Sequence, residues 1–256
     1  MEWFESEDFW LNYSPIMFDQ NKWNEAPNVA KRVKEIAELK KGGTVLDAGC
    51  GLGRISVELA DLGLDVTGVD LIQTELDAAK EYAESENVPL KLIKADLRNF
   101  KATEQFDCTI NLYTSFGYCD FIEEDLQILK NMTASVKKGG TFILECVSRE
   151  TAILYFTPGE EFERSGFVVR TEFSVEGAWE GLKSRWTLFP KDTDLKKNPD
   201  SKPLVDHVFT QRLYSAVDLC NFIKNECGFS CVNVYGDFDF SPYDQNAKTM
   251  VIVAKK

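Results

Sequence analysis

Thr44-Val-Leu-Asp-Ala-Gly-Cys-Gly-Leu-Gly-Arg54 is the stretch on which the reading of this chain turns. An apolar run ends in an acid and is followed by three glycines within five positions, the pattern of a buried strand that bends sharply into a helix. Gly49, Gly51 and Gly53 carry no Cβ, so the bend can take backbone angles closed to other residues and a ligand can press against the main chain. A second acid, Asp70, closes the next apolar run, Asp65-Val-Thr-Gly-Val-Asp70, 21 residues beyond Gly49. At that separation a carboxylate can accept both hydroxyls of a ribose. Bend and acid together predict a ligand that contains adenosine. A dinucleotide fingerprint needs a third small residue where Arg54 stands, so a pyrophosphate-bearing cofactor does not fit the pattern.

Strand and helix patterns alternate outward from this stretch, which predicts a doubly wound, mostly parallel α/β sheet of seven strands covered by helices on both faces. Helical periodicity runs over 54–62, 73–87 and 122–136, and strands are predicted at 44–48, 65–70, 90–95, 106–112 and 141–147. Ligands in such sheets bind beyond the carboxyl ends of the strands, where Asp47, Asp70, Asp96, Asn111 and Glu145 fall. From 150 to 213 the pattern changes, and 167–175, 182–189 and 205–213 alternate partly at period two, predicting three antiparallel strands as an insertion after the fifth strand. The Lys, Asp, Asn and Pro of 191–203 predict an exposed connection. A helix capped by Ser215, with Asp218 as box partner and Gly228 as stop, precedes two last strands at 230–236 and 248–254. The chain therefore divides into N-terminal cap helices (1–40), a cofactor-binding core (41–149), a β insert or lid (150–213) and a C-terminal helix and hairpin (214–256).

The glycine stretch resembles the first motif of class I S-adenosylmethionine-dependent methyltransferases, a D/E-x-G-x-G-x-G pattern matched by Asp47, Gly49, Gly51 and Gly53. Lys91-Leu-Ile-Lys-Ala-Asp-Leu97, Phe106-Asp-Cys-Thr-Ile-Asn-Leu112 and Lys138-Gly-Gly-Thr-Phe-Ile-Leu-Glu145 resemble that family's third, fourth and fifth strands in order. The resemblance implies S-adenosyl-L-methionine as cofactor. It implies that Gly49, Cys50, Gly51, Gly53 and Arg54 lie along its amino-acid and ribose parts, and that Asp47 sits near its ammonium group. Asp70 and Leu71 would hold the ribose, Asp96 and Leu97 the adenine, and Asn111 and Leu112 would complete the seat. After the fourth strand, Asn111-Leu-Tyr-Thr-Ser-Phe-Gly-Tyr118 departs from the N/D-P-P-Y/F of methyltransferases that act on adenine or glutamine amino groups and looks like small-molecule members. Val234-Tyr-Gly-Asp-Phe238 strengthens that likeness.

In the resembled family the segment before the first strand and the insertion after the fifth fold over the open end of the site. This makes Trp3, Phe4, Phe9, Trp10, Tyr13, Trp179, Trp186, Phe209 and Tyr214 candidates for an acceptor pocket, with a satellite core as the alternative. Tyr113, Ser115 and Tyr118 would line the gap between sulfonium and acceptor. An oxygen acceptor usually needs a base, for which Tyr113, Glu145 and His207, the single histidine, are the candidates. Arg212 and Tyr214 could fork onto an acceptor carboxylate or phosphate.

With 42 acidic and 29 basic residues the net charge is −13, which repels phosphate backbones and anionic membrane surfaces. A small-molecule acceptor is expected, with no nucleic acid and no membrane as partner, and the exposed sheet of the insert is a surface for a homodimer. The start of the chain has no leader pattern, so a cytoplasmic protein is expected. None of the seven cysteines forms a C-x-x-C pair, and they read as reduced core thiols with no metal site. The competing functions are an RNA or protein methyltransferase, and a catalytically silent S-adenosylmethionine-binding regulator.

Overall fold

The computed structural model describes residues 2–198 and 200–256; Pro199, within the predicted connection, lies outside them. Two helices, α1 (Glu7–Met17) and α2 (Gln20–Ile36), follow a short 3-10 turn at Trp3–Glu5. The core then runs β1 (Thr44–Ala48), α3 (Arg54–Asp61), β2 (Asp65–Asp70), α4 (Gln73–Ser85), β3 (Lys91–Lys94), β4 (Phe106–Asn111), α5 (Ile122–Ser135) and β5 (Val136–Cys146). Next come α6 (Arg149–Leu154), β6 (Gly159–Arg164), β7 (Phe167–Glu176), β8 (Gly181–Pro190), β9 (Val205–Arg212), α7 (Ala216–Asn225), β10 (Cys231–Tyr235) and β11 (Met250–Lys255).

Seven strands form one sheet in the order β10-β11-β5-β4-β1-β2-β3. The strands from β3 to β5 are parallel, and β11 enters antiparallel between β5 and β10. Strands such as Val45–Ala48 and Cys108–Asn111 are buried because helices cover both faces. One face packs Leu46, Val69, Phe142, Leu144 and Ile252 against α5 and α7 residues such as Leu129, Met132, Leu219 and Ile223. The other packs Val45, Val66, Ile110, Ile143 and Val251 against Val29, Val33, Ile55 and Leu59 of α2 and α3. Reversal of strand order beside β1 leaves a crevice at the carboxyl ends of β1 and β4.

Four antiparallel strands, β6-β7-β8-β9, make the insert, where three were expected. β6 escaped the reading because Gly-Glu-Glu-Phe-Glu-Arg has one apolar side chain and pairs only at the sheet edge with β7. The inner face of the insert, with Val169, Leu188 and Phe209, closes on Phe9, Tyr13 and Ile16 of α1. Its outer face carries the cross-strand pairs Glu161–Arg170 and Glu172–Arg185–Asp206, so the surface expected to dimerise is largely charged. The 191–203 connection is pinned by Leu195, buried against Val168 and Phe189. Ser215 caps α7 by accepting from the Asp218 backbone N–H, without a reciprocal bond from the Asp218 side chain. Of the cysteines, Cys108, Cys119 and Cys146 are buried, whereas Cys231 is exposed.

Candidate active site

A cavity of about 490 Å³ opens at the carboxyl ends of β1, β2 and β4, roofed by the Trp3–Glu5 turn, α1 and the insert. Its floor is the glycine bend. Gly49 has φ of 78° and Gly51 of 50°, so both sit in the left-handed region that glycine enters without steric cost. The Gly51 N–H donates to Asp70 Oδ2 at 2.8 Å, and the Ile72 N–H to Asp70 Oδ1 at 3.0 Å. Each Asp70 oxygen keeps a lone pair for a ligand hydroxyl. Burial pushes the Asp70 carboxyl above the ordinary range, against these two backbone bonds. Asp47, 4% exposed, accepts from Ser56 Oγ at 2.7 Å, and burial raises it to about 6.

Cys50, Arg54, Leu71, Asp96, Leu97 and Leu112 also line the cavity. Gly53 does not: a Cβ there would meet Ala79 Cβ at 2.7 Å, so this glycine serves the packing of α3 on α4. Asn111 stands behind the wall, donating through Nδ2 to the Ala48 carbonyl at 2.6 Å while its Oδ1 is buried without a partner. Asp96 is held by the guanidinium of Arg98, Nε to Oδ2 2.8 Å. The same guanidinium reaches Glu2 at 2.8 Å and Glu5 at 2.9 Å, fastening the N-terminal turn over this end of the cavity. Arg54, 5% exposed, lies between the rings of Phe18 and Tyr113, 4.9 and 4.4 Å from their centroids.

The acceptor-side candidates divide. Trp3, Phe4, Trp10, Trp186, Tyr113, Ser115 and Tyr118 line the cavity. Phe9, Tyr13 and Phe209 belong to the core that joins insert to α1, and the Tyr13 hydroxyl donates to the Trp186 carbonyl at 2.7 Å. Trp179 packs edge-on against Phe156 outside the site. Arg212 and Tyr214 do not reach the cavity: both bond to buried Asp125, and Arg212 also donates to the carbonyls of Cys119 and Asp120. The fork read as an acceptor clamp is an internal brace, which sequence could not show because Asp125 comes from α5, some 87 positions away.

His207 likewise lies away from the cavity. The β8–β9 register opposes it to Trp186 on the inner face, where it meets the rings of Phe9 and Tyr13 edge-on at 5.0 and 5.6 Å. Glu145 does line the cavity, yet both its oxygens are engaged: Oε2 accepts from the Tyr113 N–H at 2.6 Å and Oε1 from the Thr249 hydroxyl. The Oε2 bond holds Tyr113, and the Thr114 N–H donates to the Glu145 backbone carbonyl at 3.3 Å; both residues are left-handed, at φ of 57° and 58°, a strained pair at the mouth of the fourth strand. The Tyr113 hydroxyl donates to Glu25 at 2.9 Å. Burial raises the Tyr113 and Tyr118 hydroxyls far above their usual value, so both stay protonated at neutral pH.

Sequence reasoning passed over Glu75, Lys22, Met17, Phe18 and Arg164, all on the cavity wall. Glu75 left a trace: it stands on the stripe of α4 shared by Ile72, Leu76, Ala79 and Ala83, where the helical period calls for an apolar side chain.

The glycine floor, the paired acids and the aromatic roof suit a nucleoside with a flexible cationic tail. Extra Cβ atoms at Gly49 and Gly51 would project toward Ser115 and Glu75 in this seat, and Asp70 offers its free lone pairs to hydroxyls. Fold and site thus define a class I S-adenosylmethionine-dependent methyltransferase.

Comparison with known proteins agrees. Residues 45–140 match the model of a methyltransferase domain family. A putative methyltransferase of Bacillus subtilis (strain 168), YqeM, is 26% identical over 216 residues, 83% of this chain and 84% of its own. Among solved structures, an S-adenosylmethionine-dependent methyltransferase from Clostridium acetobutylicum ATCC 824 superposes with a TM-score of 0.76 at 17% identity, covering 97% of each chain. The sugar N-methyltransferase KedS8 from Streptoalloteichus sp ATCC 53650 reaches 0.68 at 18% identity, over 95% of this chain and 92% of its own. The chain is a methyltransferase that takes S-adenosylmethionine as its cofactor. No helix among the described residues is long and apolar enough to cross a membrane.

Proposed function

We propose that the protein transfers the methyl group to a nitrogen or oxygen of a small molecule held under the aromatic roof, and that nitrogen is the better acceptor. One observation carries this reading: the roof of Trp3, Phe4, Trp10 and Trp186 encloses the open strand ends in a space sized for small ligands. An RNA or a folded protein would need that face open and, for RNA, basic; the chain carries a net charge of −13. The likeness to a sugar N-methyltransferase points the same way.

The cofactor supplies an electrophilic methyl on a sulfonium, so the protein has mainly to align two reactants and keep water out. Asp70 would accept the ribose hydroxyls, and Leu71, Asp96 and Leu97 would border the adenine. Asp47 and Arg54 would hold the ammonium and carboxylate of the amino-acid tail. Tyr113, Ser115 and Tyr118 stand between this seat and the roof. A neutral amine needs only orientation, whereas a hydroxyl needs a base. His207 lies outside the cavity, and Glu145, though each of its oxygens keeps a lone pair, is fixed in the wall by Tyr113 and Thr249 rather than free to turn to a hydroxyl, which favours nitrogen.

Incubating the purified protein and an isotopically labelled methyl donor with cell extract, then identifying labelled molecules by mass, tests the proposal. Label in small amines or hydroxyl compounds supports it. Label confined to RNA or protein refutes it, and tight cofactor binding with no labelled product would mark a silent regulator. Asp70→Ala is expected to weaken binding of S-adenosylhomocysteine by about 1–3 kcal/mol through lost charge-assisted hydrogen bonds, read by calorimetry.

A further inference from the structure

Glu75 is 5% exposed and lines the cavity, and only one of its oxygens has a partner. Oε1 accepts from Ser14 Oγ of α1 at 2.6 Å. Oε2 is fully buried and bonds to nothing in the protein. A buried carboxylate oxygen without a donor is costly to keep, and such atoms are rare unless a ligand supplies the missing hydrogen bond. Its position says which ligand. Oε2 stands 3.4 Å from where a Cβ on Gly51 would project, and the Gly51 N–H is bonded to Asp70. Two carboxyls therefore flank one glycine of the bend, Asp70 from the end of β2 and Glu75 from the first turn of α4.

We infer that Glu75 is a second acceptor for the cofactor's ribose, taking one hydroxyl on Oε2 while Oε1 holds Ser14, so that one carboxyl ties donor occupancy to the seating of α1. The inference rests on the reading of Asp70 as a ribose contact and extends it. A cis-diol offers two donors in a fixed geometry, and two acids on either side of Gly51 can receive them without sharing. Burial lifts the Glu75 carboxyl to about 7, with Asp70 adding to the rise and the Ser14 bond opposing it. A hydroxyl donated to Oε2 stabilises the ionised form, as does the positive charge of the sulfonium. α1 carries Trp10 and Met17 into the cavity wall. A bond from α1 to a donor-contacting side chain therefore brings the roof down when the donor is in place, and by linkage a seated α1 tightens donor binding.

The test uses S-adenosylhomocysteine and its 2′-deoxy and 3′-deoxy forms, titrated by calorimetry into wild type, Glu75→Gln, Ser14→Ala and Asp70→Ala, with hydrogen exchange followed over residues 7–17. Wild type is expected to lose about tenfold in affinity for one of the deoxy forms through Glu75. In Glu75→Gln that penalty should shrink to under about threefold, because the amide nitrogen cannot accept. Ser14→Ala should keep the penalty while exchange over 7–17 ceases to slow on ligand binding, a readout that a merely structural Glu75 would leave in place. Equal penalties for both deoxy forms in Glu75→Gln and wild type would overturn the inference even if Asp70→Ala binds weakly. An Asp70→Ala protein that binds as wild type would instead strike the ribose reading on which both depend. Should Glu75→Gln lose its folded circular-dichroism spectrum, Glu75→Asp, which withdraws the carboxylate by one methylene, carries the same comparison.

Discussion

Replacing Gly53 by alanine separates what the glycine bend does for folding from what it does for the ligand. Gly53 has φ of 72°, and a Cβ there would lie 2.7 Å from Ala79 Cβ and 3.3 Å from Ala79 Cα on α4. A left-handed alanine costs about 1–2 kcal/mol. Forcing α3 and α4 apart by one methyl adds about 1–3 kcal/mol, since the obstructing atoms include backbone and cannot swing away. The expected loss is about 2–5 kcal/mol, a large fraction of the roughly 5–15 kcal/mol by which domains are stable. Gly51→Ala is the control. Its φ of 50° carries the same backbone cost, but its Cβ would meet only Glu75 Oε2, at the ordinary contact distance of 3.4 Å. Urea unfolding should show Gly53→Ala with a much lower midpoint and an unchanged slope, and Gly51→Ala with a smaller drop. Calorimetry on the folded proteins should show the reverse order for S-adenosylhomocysteine, because Gly51 lines the cavity and Gly53 does not. Gly53→Ala unfolding within about 0.5 kcal/mol of wild type, the scatter of an ordinary surface change, would refute the packing assignment.

Three more expectations follow from the same geometry. His207→Ala should leave methyl-transfer kcat within about twofold of wild type, and a loss of tenfold, about 1.4 kcal/mol, would return the histidine to the chemistry. Asp125→Ala should cost about 3–5 kcal/mol of stability by stranding the Arg212 guanidinium and the Tyr214 hydroxyl; denaturant unfolding checks this, and an unchanged midpoint would contradict it. In protein without ligand, burial pushes the Glu75 carboxyl up to about 7 from the 4.5 of an ordinary glutamate. The folded state therefore holds a proton that the unfolded chain gives up, and this contribution to stability is present below pH 4.5 and lost as pH rises through 7. Glu75→Gln should accordingly gain on wild type by up to about 3 kcal/mol between pH 4 and pH 8, and a difference that is flat with pH would sink the prediction.

Much of the donor side of the site was legible because its signals are local. The Asp47-to-Arg54 bend needs its glycines at fixed offsets, and Asp70 lies one strand and one helix away, so spacing alone brings them together. The acceptor side was less legible because it is assembled from distant segments. Arg212 and Asp125 meet across 87 positions, and the β8–β9 register turned His207 toward Phe9 rather than the cavity. Glu145 stood at the predicted strand end, but that Thr249 and Tyr113 fix its two oxygens depends on the pairing of β11 with β5. β6 was missed since an edge strand of mostly charged residues carries little hydrophobic signal.

By itself the sequence determined the parallel sheet, the bend at its first strand and a ligand that contains adenosine, the methyl donor being what the family resemblance implied. The first three rest on period, glycine placement and short spacing, which the chain imposes within a few tens of residues. Tertiary structure alone decided which aromatics wall the cavity and which fill the joint with the insert. It also decided that Arg212 braces Asp125, and that Glu75 keeps an unpartnered oxygen beside Gly51. Those outcomes depend on how α1, α4 and the insert pack together, and whether a buried polar atom finds a partner is settled only when distant segments meet.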